Sequence, residues 1–379
     1  MNRKTRRFIG FAGIAVIAAV TLGGIFTLST TSSITVHAQS SSVRPPPDAV
    51  TPGSVPSSVD TNVLPASDMW RAVRQGISGR VSIPDQKAAV LVQSEGENFR
   101  AVRNGPLSSW GGWLMLAVIV LLAVFFAVRG RIEIEGGTSG RTIERFNTLE
   151  RFSHWLLAVS FILLALTGLN MLYGRYVVLP LIGGSAFSAI TEWGKYLHNY
   201  IAFAFMIGIV LTFVLWVRHN LPTKADWEWL KMGGGMFSKS KKHPPAYKFN
   251  AGQKILFWFV VLGGTSISVS GLALLWPFEF HLFGPTFAVF NIFGAGLPTD
   301  LTVLQETQLS LIWHGVIALI LIAAIIAHIY IGTIGMEGAL DAMTTGEVDA
   351  NWVREHHPLW LDEIEGRRGG KRGRMQPAE

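Results

Sequence analysis

Five apolar runs, each roughly 17 to 25 residues long, leave this chain little choice of fold. Hydrocarbon offers no hydrogen-bond partners, so such a run crosses a bilayer as a helix that satisfies its own N–H and C=O groups. The runs lie at about 111–128, 152–173, 195–217, 254–276 and 308–334. The expected fold is an all-α integral membrane protein, a transmembrane helical bundle. Composition agrees, with 49% hydrophobic and 15% charged residues among 379 and a mean hydropathy of +0.37.

The basic residues orient the bundle. The loop 218–253 carries Arg218, Lys224, Lys231, Lys239, Lys241, Lys242 and Lys248, whereas 277–307 has no Lys or Arg and 174–194 only Arg175. The first of these loops is expected inside, and helix parity puts 129–151 and the tail, with its GRRGGKRGR, on the same side. A net charge of +7 distributed in this way reflects membrane topology, so no nucleic-acid partner is expected.

Residues 1–38 combine MNRKTRR, an apolar stretch and Val36-His37-Ala38, the pattern of a secretory signal peptide or of an uncleaved anchor. Residues 39–109 read as an external segment: a Ser/Pro/Val-rich linker to about Pro65, then a small ordered extension on the outer surface. An extra transmembrane helix is expected at 110–130, a four-helix core at 131–335 and a cytoplasmic tail at 336–379.

Four histidines interrupt the apolar runs, and an ionisable group at membrane depth suggests function. His314 and His328 share the last run, about 21 Å apart along a helix and within about 40° of one face. By helix direction His154 and His328 lie near the inner surface, His198 and His314 near the outer. A lone histidine at a helix end reads as an interfacial polar residue, but four from three helices, paired by depth, point to ligation. Structural zinc requires four ligands together. Two b haems, each held by two histidines, fit the spacing best.

The chain has no cysteine, which excludes disulfides, thiolate-held iron–sulfur clusters and c-type haem attachment. His219, His243, His281, His356 and His357 read as solvated or capping residues, and His37 leaves with the signal. Gly168, Gly263 and Gly264 read as small residues that let helices approach.

Together with RHNLPTKADWEWL (218–230), KFNAGQKILFW (248–258) and HHPLWLDEIE (356–365), these histidines resemble the gamma subunit, cytochrome b, of membrane-bound formate dehydrogenase, from about Arg145 to Glu365. The resemblance implies a dihaem cytochrome b core in which His198 and His314 hold the periplasmic haem iron and His154 and His328 the cytoplasmic one. It also implies a quinone beside the inner haem, near Asn250, Ala251, Gly252 and His328, although Asn-x-Gly is equally ordinary turn chemistry.

No molybdenum-cofactor or iron–sulfur signature is present. The expected role is therefore electron transfer and anchoring in a bacterial inner membrane, with a molybdenum or tungsten catalytic subunit and an iron–sulfur subunit as periplasmic partners and quinone as acceptor. Quinone reduction is the one reaction expected on this chain. The same relay serving a hydrogenase or thiosulfate reductase, or a haem-free membrane anchor, are the alternatives. The extra helix and external segment resemble the long form of the subunit.

Overall fold

The computed structural model describes residues 79–80, 90–92, 95–235 and 244–373. The expected signal and linker, together with His37 and His243, lie outside these residues.

Strands β1 (Gly79–Arg80) and β2 (Val90–Val92) pair antiparallel. Helix α1 (Glu95–Val102) passes through a π turn at Arg103–Leu107 into α2 (Ser108–Arg129). The first span thus covers Asn98–Arg129, about four turns longer on its outer side than the apolar run suggests. Pro106 sits inside the π turn, where the widened backbone tolerates a residue without an N–H.

Next come β3 (Thr142–Glu144), α3 (Thr148–Val177), the short α4 (Leu179–Ile182), α5 (Gly184–Trp216), α6 (Lys224–Lys231) and α7 (Ala251–Leu275). The chain then forms α8 (Phe283–Asn291), α9 (Val303–Tyr330), α10 (Asp341–Thr344), β4 (Glu347–Asp349), α11 (Ala350–His356) and α12 (Pro358–Gly373). Among the described residues, five helical passages, built on α2, α3, α5, α7 and α9, are long and apolar enough to span a membrane. The protein is a multi-pass membrane helical bundle.

Helix α5 begins at Gly184, eleven residues before the expected start at 195, so His198 lies well inside it and does not open it. Glu192 and Lys195 disguise this first part, but helix propensity tolerates both once the segment has left the hydrocarbon.

Within the bundle α3 packs most extensively on α5, and α7 on α9, while α2 leans on α9. Small residues set these approaches: a Cβ on Gly208 would lie 3.0 Å from the Leu157 backbone, one on Gly111 2.5 Å from Leu319, and one on Gly264 would collide with Ile209. Leu121, Leu166, Val214 and Leu262 point outward as a lipid-facing surface.

Helix starts are satisfied by side chains. Asn147 with Glu150, Asn250 with Gln253, and Thr302 with Gln305 form reciprocal capping boxes at α3, α7 and α9. At the opposite end of the bundle from the basic loops, buried Glu306 accepts the N–H groups of Leu282, Phe283 and Gly284 at 2.7–3.1 Å, fixing the start of α8 to α9.

The basic end carries a cap of its own. Strands β3 and β4 pair antiparallel with Ile143 opposite Val348, joining the segment before α3 to the tail. Both side chains enter an apolar cluster with Phe146, Trp216, Phe249, Trp352, Val353 and Trp360. The expected tail is therefore partly a folded layer, built by pairing across some two hundred residues of sequence.

Candidate functional site

The bundle brings the four intramembrane histidines together as two pairs. The rings of His154 (α3) and His328 (α9) have centroids 6.3 Å apart at 68°, and those of His198 (α5) and His314 (α9) 6.2 Å apart at 58°. Helix α9 supplies one member of each pair, and the pairs are about 21 Å apart along its axis.

A centroid distance just over 6 Å is too long for stacking, but it accommodates one metal ion with a bond of about 2 Å to each ring. Among the described residues no group of three or more His, Cys, Asp or Glu side chains converges, so neither pair can complete a tetrahedral zinc site. Two facing imidazoles without further protein ligands suit the axial positions of a haem.

The pairs differ in what holds the rings. His198 Nδ1 lies 2.8 Å from Thr167 Oγ1 and His314 Nδ1 lies 3.0 Å from Ser270 Oγ. His154 Nδ1 is buried and has no hydrogen-bond partner among the described residues, and its ring packs edge-on against Trp155.

At the basic end of the bundle, Asn250 is the N-cap of α7, its side-chain oxygen accepting the Gln253 N–H at 2.9 Å. The expected turn chemistry is thus present, and it uses the oxygen of the amide without consuming its NH2 group. Gly252 faces Trp229: a Cβ there would lie 2.9 Å from the indole. Buried Lys254 donates to Asp226 at 2.8 Å and to the Leu221 carbonyl at 3.0 Å, which ties α6, the helix that carries Trp229, to the base of α7.

Sequence reasoning passed over the polar knot behind these residues. Glu150 Oε1 accepts from Lys248 at 2.6 Å and from the Trp216 indole at 2.9 Å. Arg145, buried between the rings of Phe146 and Trp352, donates to the Lys248 carbonyl at 2.7 Å and to Gln253 at 3.3 Å. Burial lowers the Arg145 pKa to about 9, against the opposing pull of Glu150. The local signal was available, since Arg145 and Glu150 flank the α3 cap and Lys248 precedes the α7 cap.

Of the two readings given for His357, solvated or capping, the second holds and the first does not: it occupies the C-cap of α11 and is 1% exposed, with Nδ1 2.6 Å from the Tyr247 carbonyl. Burial, reinforced by the Arg145 charge, holds its pKa well below the usual imidazole value. Gly263 and Gly264 do serve helix approach, against Leu321 and Ile209, whereas Gly168 faces the Cε1 edge of His198.

Paired histidines inside a bundle of membrane-spanning helices define a class, the membrane cytochromes b. The chain belongs to the prokaryotic cytochrome b561 family, whose family model matches residues 145–346, and it accordingly binds haem b. It is 28% identical over 230 residues to the cytochrome b556(Fdn) subunit of the nitrate-inducible formate dehydrogenase of Escherichia coli K12, spanning 60% of this chain and 94% of that protein. The cytochrome b556(fdo) formate dehydrogenase subunit of the same organism is 27% identical over 223 residues, 59% of this chain and 93% of the relative. The formate dehydrogenase cytochrome b556 subunit of Haemophilus influenzae is 27% identical over 235 residues, 62% and 87% of the two chains.

Proposed function

We propose that this chain is the membrane-anchoring cytochrome b subunit of a formate dehydrogenase, carrying electrons through two b haems to quinone. The observation that carries the reading is the pair of 6.2 and 6.3 Å imidazole couples on a shared helix. His198 and His314 hold the outer haem; His154 and His328 hold the inner one. Bound between two imidazoles, haem supplies one-electron transfer, with no open position for a substrate.

The protein's own residues supply the rest. Three helices fix the four rings at two depths, and apolar side chains exclude water between them. The basic loops support an inner membrane orientation with the inner pair toward the cytoplasm and the outer pair toward the periplasm. There, molybdenum or tungsten and iron–sulfur partner subunits deliver electrons from formate, consistent with the names of the relatives. Moving each electron inward works with proton uptake from the cytoplasm to charge the membrane, each charge being worth about 2.3 kcal/mol per 100 mV.

Quinone docks beside the inner haem. The Asn250 NH2 group, not needed for the helix cap, donates to a quinone carbonyl, and the missing Cβ of Gly252 lets the Trp229 indole pack against the start of α7 beside it.

The test is to purify the complex through a tag on this chain and add donors separately. Formate is expected to reduce the b-type bands, with a molybdenum- or tungsten-bearing subunit co-purifying. Reduction by hydrogen alone would transfer the same relay to a hydrogenase, and a haem-free preparation would leave only a membrane anchor.

A further inference from the structure

We infer that Thr167 and Ser270 are positioning residues for the outer pair: with Gly168 and Gly271 they form two equivalent cradles that fix the tautomer and orientation of His198 and His314. The inference rests on the proposed reading of that pair as haem ligands.

The proton count carries it. A hydroxyl has one proton to donate. Thr167 Oγ1 spends its proton on its own helix, 2.8 Å from the Leu163 carbonyl and 3.1 Å from that of Leu164. Ser270 Oγ does the same toward the Ile267 carbonyl at 2.9 Å. With its proton so placed, each oxygen accepts at its 2.8 or 3.0 Å contact with imidazole Nδ1, a role it shares with the Leu164 carbonyl at His198 and the Ile267 carbonyl at His314. This arrangement puts the histidine proton on Nδ1 and leaves Nε2 bare as the metal-binding nitrogen.

The two cradles repeat one design. Residues 167–169 read Thr-Gly-Leu and 270–272 read Ser-Gly-Leu. Each hydroxyl reaches across to a histidine on the neighbouring helix, α3 to α5 and α7 to α9. Each following glycine backs the same ring: a Cβ on Gly168 would lie 3.6 Å from His198 Cε1, and on Gly271 3.4 Å from His314 Cε1. One dipeptide thus faces two adjacent atoms of each imidazole, Nδ1 and Cε1. At the inner pair, by contrast, His154 Nδ1 is buried without a partner among the described residues.

A hydrogen bond from Nδ1–H to an oxygen makes the imidazole a stronger electron donor, which stabilises the ferric state. The cradles therefore lower the potential of the outer haem and favour electron flow toward the inner one.

The experiment uses the intact purified complex carrying Thr167→Val, Ser270→Ala or both, read by haem content, potentiometric titration and electron paramagnetic resonance of the oxidised protein. The outer haem is identified as the signal missing from His198→Ala. The double variant is expected to keep two haems and raise only the outer potential, by about tenfold in the reduction equilibrium, equivalent to 59 mV for one electron. Thr167→Ser and Ser270→Thr are expected to retain the wild-type signature. Loss of the outer haem in Thr167→Val but not in Thr167→Ser would also support the inference. Two haems with unchanged potentials and resonance signals would overturn it, as would haem loss in both Thr167 variants. A wild-type complex lacking an outer haem would instead defeat the ligand assignment beneath it.

Discussion

The outer and inner histidine pairs have nearly the same ring separation, 6.2 and 6.3 Å, yet they are built differently. At the outer pair, hydroxyls from neighbouring helices lie within hydrogen-bond distance of both imidazoles. The inner pair lacks such a bond at His154 and lies under a knot of charged and aromatic residues, with Arg145, Glu150, Lys248 and Trp352 tying the loops and tail together. The outer site is organised by the bundle itself, the inner one by the cap that closes the bundle. Under the proposed function this contrast fits the two roles, since electron delivery requires only a fixed geometry, whereas quinone entry and proton uptake require a polar border.

The comparison breaks most sharply at the ligands. His198→Ala or His314→Ala is expected to remove the outer haem alone, and His154→Ala or His328→Ala the inner one, leaving one haem per chain by pyridine haemochromogen assay. Next in size are the glycines of the cradle. Gly271→Val or Gly168→Val pushes a side chain beyond the Cβ position into the imidazole edge and should lower outer-haem affinity about tenfold or more, without affecting the inner haem. Alanine at either position, whose Cβ makes only near-normal contact, should change haem occupancy little.

The inner cap sharpens the contrast through stability. Glu150→Ala leaves the half-buried Lys248 and the Trp216 indole without their acceptor and should cost about 2 kcal/mol in detergent-induced unfolding. Loss of the inner haem should accompany that unfolding before loss of the outer.

The smallest effect is on acidification. The His357 pKa is lower in the folded cap than the roughly 6.5 of a free imidazole, so a detached tail takes up protons more readily. The cap is expected to be fully stable above that pH and to loosen as pH falls through the folded value. Limited proteolysis of the tail would detect this, and His357→Gln should flatten the response.

Much of this was legible in the sequence because it depends on local rules. Apolar length marks the spans, and helix rise and parity assign depths to His154, His198, His314 and His328. The boundaries were less legible: α5 starts at Gly184 behind Glu192 and Lys195, and the first span begins before the π turn containing Pro106. The β3–β4 pairing and the burial of His357 depend on contacts between distant segments, which no local periodicity announces. Thr167 and Ser270 illustrate the same limit, since a hydroxyl on one helix gains its role only from the imidazole on another. Their recurrence as Thr-Gly-Leu and Ser-Gly-Leu was nevertheless present in the sequence.

The central claim, two imidazole couples each gripping a haem iron, is tested most directly by electron paramagnetic resonance of the oxidised wild-type protein together with its haem-to-chain ratio. Two haems per chain, both low-spin ferric and both unreactive toward carbon monoxide when reduced, are predicted. A single haem, or a high-spin centre that binds carbon monoxide, would contradict the account.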